Sequence, residues 1–296
     1  MSHAVQAAPL EFAPEPSSSE PTPLWQLVVL SAALLWLYAP VLYRLVAQWV
    51  HDPNYSHGFF VPAFSLYVLW QKRDRLRRLP RRPSWSGLLI LAIAVAVLTA
   101  GTLGAELFLS RTSFLIAIAG LVVLFFGWNY LRAVLFPWLF LLLMIPIPNI
   151  LFNQITFPLQ LLASKAAALV LPLLGVPVLR EGNVIQLPVM TLEVAEACSG
   201  IRSLMSLATL SIIYGYLLET RISTRVLLAL AAIPIAVIAN GLRIIGTGLL
   251  VQYWDPEKAE GFFHAFSGWL IFVVSLILLF LLHKGLQKLQ PQEERH

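Results

Sequence analysis

The chain has 296 residues, of which 58% are hydrophobic and 12% charged, and its mean hydropathy of +0.78 lies far outside the range of soluble globular domains. The net charge is +5, but the Lys and Arg residues gather in short segments between apolar runs, a distribution that reports membrane orientation rather than nucleic-acid binding. A bilayer span takes about 20 residues, so this length suits roughly eight spans with little left over.

The N-terminal segment 1–23 contains APEPSSSEPTP and three glutamates with no Lys or Arg. It reads as a disordered acidic cytoplasmic tail and resembles neither a signal peptide nor a transit peptide. Apolar runs follow at 24–47, 58–71, 85–104, 113–131, 133–150, 201–218, 226–249 and 265–283. They predict an all-α integral membrane protein, a polytopic bundle of about eight transmembrane helices forming one domain over 24–285, with a cytoplasmic tail at 286–296.

Seven of the eleven residues at 72–82, KRDRLRRLPRR, are Lys or Arg, which places that loop in the cytoplasm. The other loops then alternate. Both termini, Arg132 and the ETRISTR loop at 219–225 fall inside, whereas 48–57 and 105–112 fall outside. The segment 151–200 is outside provided that LFNQITFPLQLLASKAAALVLPLLG does not cross. Asn153, Gln160 and Ser164 share one face of that helix, with Gln154 and Lys165 beside it, a polar stripe that favours a surface-lying or re-entrant element. VPVLREGNVIQL, centred on 180–183, then reads as a small extracytoplasmic hairpin, and MTLEV as an extended strand leading to Cys198.

Cys198, in EVAEACSGIRSL, is the one cysteine of the chain. A free Cys is most often a small buried hydrophobe, so position alone does not assign it a role. In IPIAVIANGLRIIGTG, Arg243 follows Asn240 by one turn and lies 18 residues beyond Arg225, roughly 27 Å along a helix. That brings Arg243 to the outer interface at the depth of Cys198. Snorkelling would explain an interfacial Arg, but an ionisable residue within a span is a functional candidate. His264, in GFFHAFSGW, begins the last span at the same level. Three consecutive helix ends therefore deliver Cys, Arg and His to one leaflet.

These are the residue types that thiol acyl transfer needs. A neighbouring His or Arg lowers a thiol's pKa and raises its thiolate fraction. His264 suits a general base that later acts as acid, and Arg243 suits stabilisation of the thiolate or oxyanion. Gly200 permits close backbone approach, Glu196 or Glu193 could orient His264, and Ser199 is the weaker alternative nucleophile. His51, Asp52, His57 and His264 could be read as metal ligands, yet they lack paired-ligand spacing, and neither a metal nor another cofactor is called for. YSHG, with His57, reads as a substrate-facing loop.

Together, EACSGIRSL, NGLRI within a span, FHAFSGW opening the last span and YSHGFFVP before the first basic loop resemble the exosortases, most closely the proteobacterial exosortase A type. The resemblance covers about residues 30–285. It implies a multi-pass bacterial inner-membrane cysteine transpeptidase with an extracytoplasmic site, in which Cys198, Arg243 and His264 match the family's Cys, Arg and His. It also implies the partners: exported proteins ending in a Pro-Glu-Pro motif, a transmembrane helix and an Arg-rich tail, together with an acceptor of unknown identity. A link to exopolysaccharide production is implied as well. Pro14-Glu15-Pro16 of this chain lies at the wrong terminus for such a signal and is compositional chance. A polysaccharide-precursor transporter or assembly factor without thiol catalysis, a plain protease and a non-catalytic scaffold are the alternatives.

Overall fold

The computed structural model describes residues 24–194, 201–254 and 262–289. Helix α1 (Leu24–His51) leads through a 3-10 segment (Pro53–Phe59) into α2 (Phe60–Gln71) and the short basic helix α3 (Arg73–Arg78). Next come α4 (Ser86–Leu103), α5 (Leu107–Phe125), and a broken passage formed by α6 (Trp128–Ala133), α7 (Leu135–Phe140) and a 3-10 turn (Leu141–Met144). Helix α8 (Asn149–Leu173) precedes strands β1 (Leu179–Glu181), β2 (Val184–Gln186) and β3 (Thr191–Glu193). The chain closes with α9 (Ile201–Leu218), α10 (Ile222–Tyr253) and α11 (Phe262–Leu289).

Among the described residues six helices are long and apolar enough to cross a membrane, and the apolar stretches Leu135–Met144 and Arg202–Leu218 are shorter. The polytopic all-α bundle with a small β element is therefore the observed architecture. Several boundaries differ from expectation: the run at 113–131 is continuous helix only to Phe125, and that at 133–150 is the broken passage that ends at Met144. The loop expected at 105–112 is a tight turn, because Glu106 caps α5 by accepting from the Phe108 amide at 2.9 Å and the helix starts at Leu107. Span seven continues past 249 to Tyr253, giving α10 32 residues. At 1.5 Å per residue that is about 48 Å, well beyond a hydrocarbon core of about 30 Å.

Helices α4 and α5 form the tightest pair. Gly87 lies against the backbone of Leu124, and Gly120 against Leu91, so small residues let the two helices approach where side chains would hold them apart.

Polar contacts sort the connections into two ends. At the basic end Tyr130 donates to the Leu76 and Leu79 carbonyls, Tyr216 to Gln71 Oε1, and Arg225 Nε to the Glu219 carbonyl. At the opposite end Trp49 Nε1 donates to the Met144 carbonyl at 3.0 Å, and Arg202 Nε to Asn54 Oδ1 at 3.2 Å.

Helix α8 is long enough to cross, but both its ends are held at this second end. Phe152 packs near Tyr55, while Leu171 fits against Gly248 and the Leu174 carbonyl accepts from Tyr253 at 3.2 Å. Its stripe of polar residues divides: Gln160 and Ser164 are buried, and Asn153, Gln154 and Lys165 are exposed. Ser164 faces inward because it donates to the Gly182 carbonyl at 2.9 Å and accepts from Arg180, pinning the hairpin to the helix.

The expected hairpin forms with a two-residue Gly182-Asn183 turn in which Gly182 has φ +63°, and β3 adds antiparallel to β2. The sheet, α8 and the overhanging end of α10 share one apolar cluster that includes Leu171, Ile185, Val194, Ile244 and Val251. This cap rests on the bundle at the end opposite the basic loops.

Candidate active site

Cys198, Ser199, Gly200 and Glu196 lie outside the described residues; their flanks do not. Val194, four residues before Cys198, is buried in the cap, where its amide donates to the Asn183 carbonyl at 3.0 Å. Ile201, three residues after Cys198, opens α9.

Arg243 sits in α10 next to Ile244, which belongs to the same apolar cluster as Val194. Its guanidinium lies against Gly268 of α11. A methyl group there would stand 3.6 Å from Nη2 and 3.7 Å from Cζ, so Gly268 leaves a shelf that a larger residue would fill. Asn240, one turn before Arg243, is buried. His264 lies in the first turn of α11, one turn before Gly268; its side chain is outside the described residues. The Arg243 guanidinium of α10 thus meets α11 at Gly268, one turn along the helix from His264.

His57 occupies the 3-10 segment and is 5% exposed. Nε2 is 3.3 Å from the Leu143 carbonyl, which can only accept, so that contact requires the proton on Nε2. Nδ1 has no hydrogen-bond partner. Burial pushes the ring's pKa below the ordinary histidine value, and the Leu143 and Asn54 carbonyls pull the other way. Of the other residues weighed as metal ligands, His51 is exposed and Asp52 is engaged as a helix cap, accepting from the Asn54 amide at 2.9 Å.

Beside His57 opens a groove of about 640 Å³ between α2, α9 and α11. Its walls are mainly apolar, with Phe60, Phe64 and Tyr67 from α2 and Phe272 from α11, the last one turn beyond Gly268. Among the described residues Ser206 and Thr209 of α9 join Ser56, His57 and the Tyr67 hydroxyl as its polar members.

Two features escaped the sequence reading. Arg111 is 3% exposed inside α5, although its charge suggested a loop. At the basic end His283 accepts or donates at 2.8 Å with Tyr214, lies 3.3 Å from Glu219 Oε2, and meets Gln287 at 3.1 Å. A His one turn from the end of an apolar run carries no local sign of such a network.

Comparison with curated proteins and with solved structures gave no match. The model of the transmembrane exosortase family matches residues 49–281, a stretch that takes in Cys198, Arg243 and His264, and the chain belongs to that family.

Proposed function

We propose that this exosortase is a cysteine transpeptidase of the bacterial inner membrane, acting on exported proteins that end in a Pro-Glu-Pro motif, a transmembrane helix and an Arg-rich tail. The observation that carries the reading is the family match over 49–281. It is supported by the meeting of α10 and α11 at Arg243 and Gly268, one turn from His264.

Cys198 is assigned as nucleophile. Its thiolate adds to the scissile carbonyl, and the resulting oxyanion is stabilised by the Arg243 guanidinium. The C–N bond breaks, His264 gives the leaving amine the proton it took from the thiol, and a thioester remains. An acceptor nucleophile then attacks the thioester and returns the thiolate. Asn240, Ser199, Gly200, Glu196 and His57 have supporting places around this step. The client's Arg-rich tail stays on the cytoplasmic side by the rule that orients the enzyme, which sets its Pro-Glu-Pro segment at the extracytoplasmic face. Exported clients of this kind would serve a cell that secretes exopolysaccharide.

Co-expression with a tagged client carrying the tripartite signal tests the reading. Wild type processes the client and Cys198→Ala, Arg243→Ala and His264→Ala do not; unchanged processing by Cys198→Ala would sink the thiol mechanism. Mass spectrometry of the mature C-terminus separates transfer, which adds the acceptor's mass, from hydrolysis, which adds water.

A further inference from the structure

The basic end gathers three cations that no carboxylate among the described residues neutralises. Lys72 closes α2, and its Nζ reaches the Ala133 carbonyl of the broken passage only at 3.5 Å. Arg225 stands in the first turn of α10 and is fixed from three directions. Its Nε donates to the Glu219 carbonyl at 2.7 Å and Nη2 to the Tyr216 carbonyl at 3.2 Å, and the guanidinium covers the Tyr216 ring at 4.9 Å. Tyr216 in turn donates to Gln71 Oε1 at 3.4 Å, which holds Arg225 beside the end of α2. The Lys72 ammonium lies within electrostatic reach of both Arg225 and the exposed Arg75 of α3. Burial pushes its pKa below the ordinary lysine value, and the two guanidinium groups push it the same way.

The carboxylates of this end are engaged elsewhere. Glu219 accepts from the Thr220 and Arg221 amides and faces His283, and Asp74 lies 4.0 Å from Arg73. Lys72, Arg75 and Arg225 form no ion pair among the described residues. Like charges gathered in a partly buried place repel one another, and a bound anion relieves them.

The surroundings select the anion. The helices that border the cluster turn large apolar side chains outward: Tyr67 and Trp70 on α2, Leu217 and Leu218 on α9, Ile222 and Val226 on α10. A soluble phosphate would use the cations and leave this rim bare, whereas an amphiphile uses both. Clusters of Lys and Arg at the end of a membrane helix attract anionic headgroups in the same way.

We propose that Lys72, Arg75 and Arg225 bind the phosphate of an anionic phospholipid from the leaflet at the basic end, with its acyl chains lying over the apolar rim. The lipid clamps α2 and α3 to the turn between α9 and α10. This role is separate from the chemistry proposed for the cap end.

Native mass spectrometry of the full chain, released from nanodiscs of phosphatidylcholine mixed with phosphatidylglycerol, tests the site. Wild type should retain phosphatidylglycerol in preference to phosphatidylcholine, and the double variant Lys72→Gln/Arg75→Gln should lose it. Lys284→Gln/Lys288→Gln removes the same charge from exposed positions on α11 at the same end and should keep it. Equal loss in both variants would reduce the effect to net charge and overturn the site. In thermal unfolding, added phosphatidylglycerol should raise the wild-type midpoint by about 5 °C and leave Lys72→Gln/Arg75→Gln unmoved. Glycerol phosphate matching that shift would make the ligand a soluble anion and overturn the lipid.

Photoactivatable phosphatidylglycerol reads the wild-type chain directly, whatever the variants do to folding. It should label 67–75 and 216–226 ahead of Leu88 and Leu89, which are exposed on α4. Uniform labelling overturns the proposal. So does retention of the lipid only after removal of residues 1–23, because the acidic segment with Glu11, Glu15 and Glu20 would then be the occupant.

Discussion

The two ends of the bundle treat buried polar groups in opposite ways. At the basic end Glu219 is satisfied several times over. Its carboxylate accepts from the Thr220 and Arg221 amides at 2.8 and 3.2 Å and faces His283, which is itself held by Tyr214 and Gln287. At the cap end His57 is buried just as deeply, and its Nδ1 has no hydrogen-bond partner. A closed network of this kind fastens helices. The contrast separates the groups that hold the bundle together from those that the network leaves open, although a buried histidine stands at each end.

Arg243→Ala should lower processing by about 10²- to 10³-fold, the scale of a lost oxyanion donor, while leaving thermal unfolding in detergent close to wild type. A large loss of stability instead would assign Arg243 to the fastening class.

His283→Ala should do the reverse. Opening the buried cluster costs about 2 kcal/mol, read as a lower unfolding midpoint, with turnover per folded molecule unchanged. The pH dependence has a definite sign here. Burial acts to raise the Glu219 pKa, but the Arg221 and Thr220 amides and His283 outweigh it and hold the carboxyl below the usual range. The stability it contributes is therefore complete above the ordinary carboxylate pKa and is lost as pH falls through the lowered value. Glu219→Gln should flatten that acid limb in unfolding experiments.

Gly268→Val fills the shelf under the Arg243 guanidinium and should reduce activity about tenfold. Gly268→Ala, whose methyl stands at ordinary contact distance, should reduce it less. A Val variant as active as wild type would remove the shelf from the site.

Much of this molecule is legible in its sequence. The hairpin around Gly182 follows from alternation broken by a Gly-Asn turn, and the apolar runs place the long helices. Counting from Arg225 puts Arg243 near the cap end, where it is found, because helix rise is independent of context. What stayed hidden was lateral neighbourhood. Nothing local says that Thr209 of α9 stands across a groove from His57, since that adjacency is made by two helices 150 residues apart. Local cues misled where tertiary packing overrode them. Arg111 argued for a loop, yet Glu106 caps α5 ahead of it and the bundle buries it; Ser164 belonged to a polar stripe expected on a surface-lying or re-entrant helix, yet it is buried and bonded to the hairpin.

The length of α10 carries one more consequence. Helix α10 sets its basic turn at Ile222 and Arg243 about 32 Å apart along the chain axis, with Pro234 between them. Its last ten residues are tied into the cap and cannot slide. In a membrane of mismatched thickness the lipid thins or swells around α10, or the helix tilts or bends at Pro234, so bilayer thickness bears directly on the height of the guanidinium.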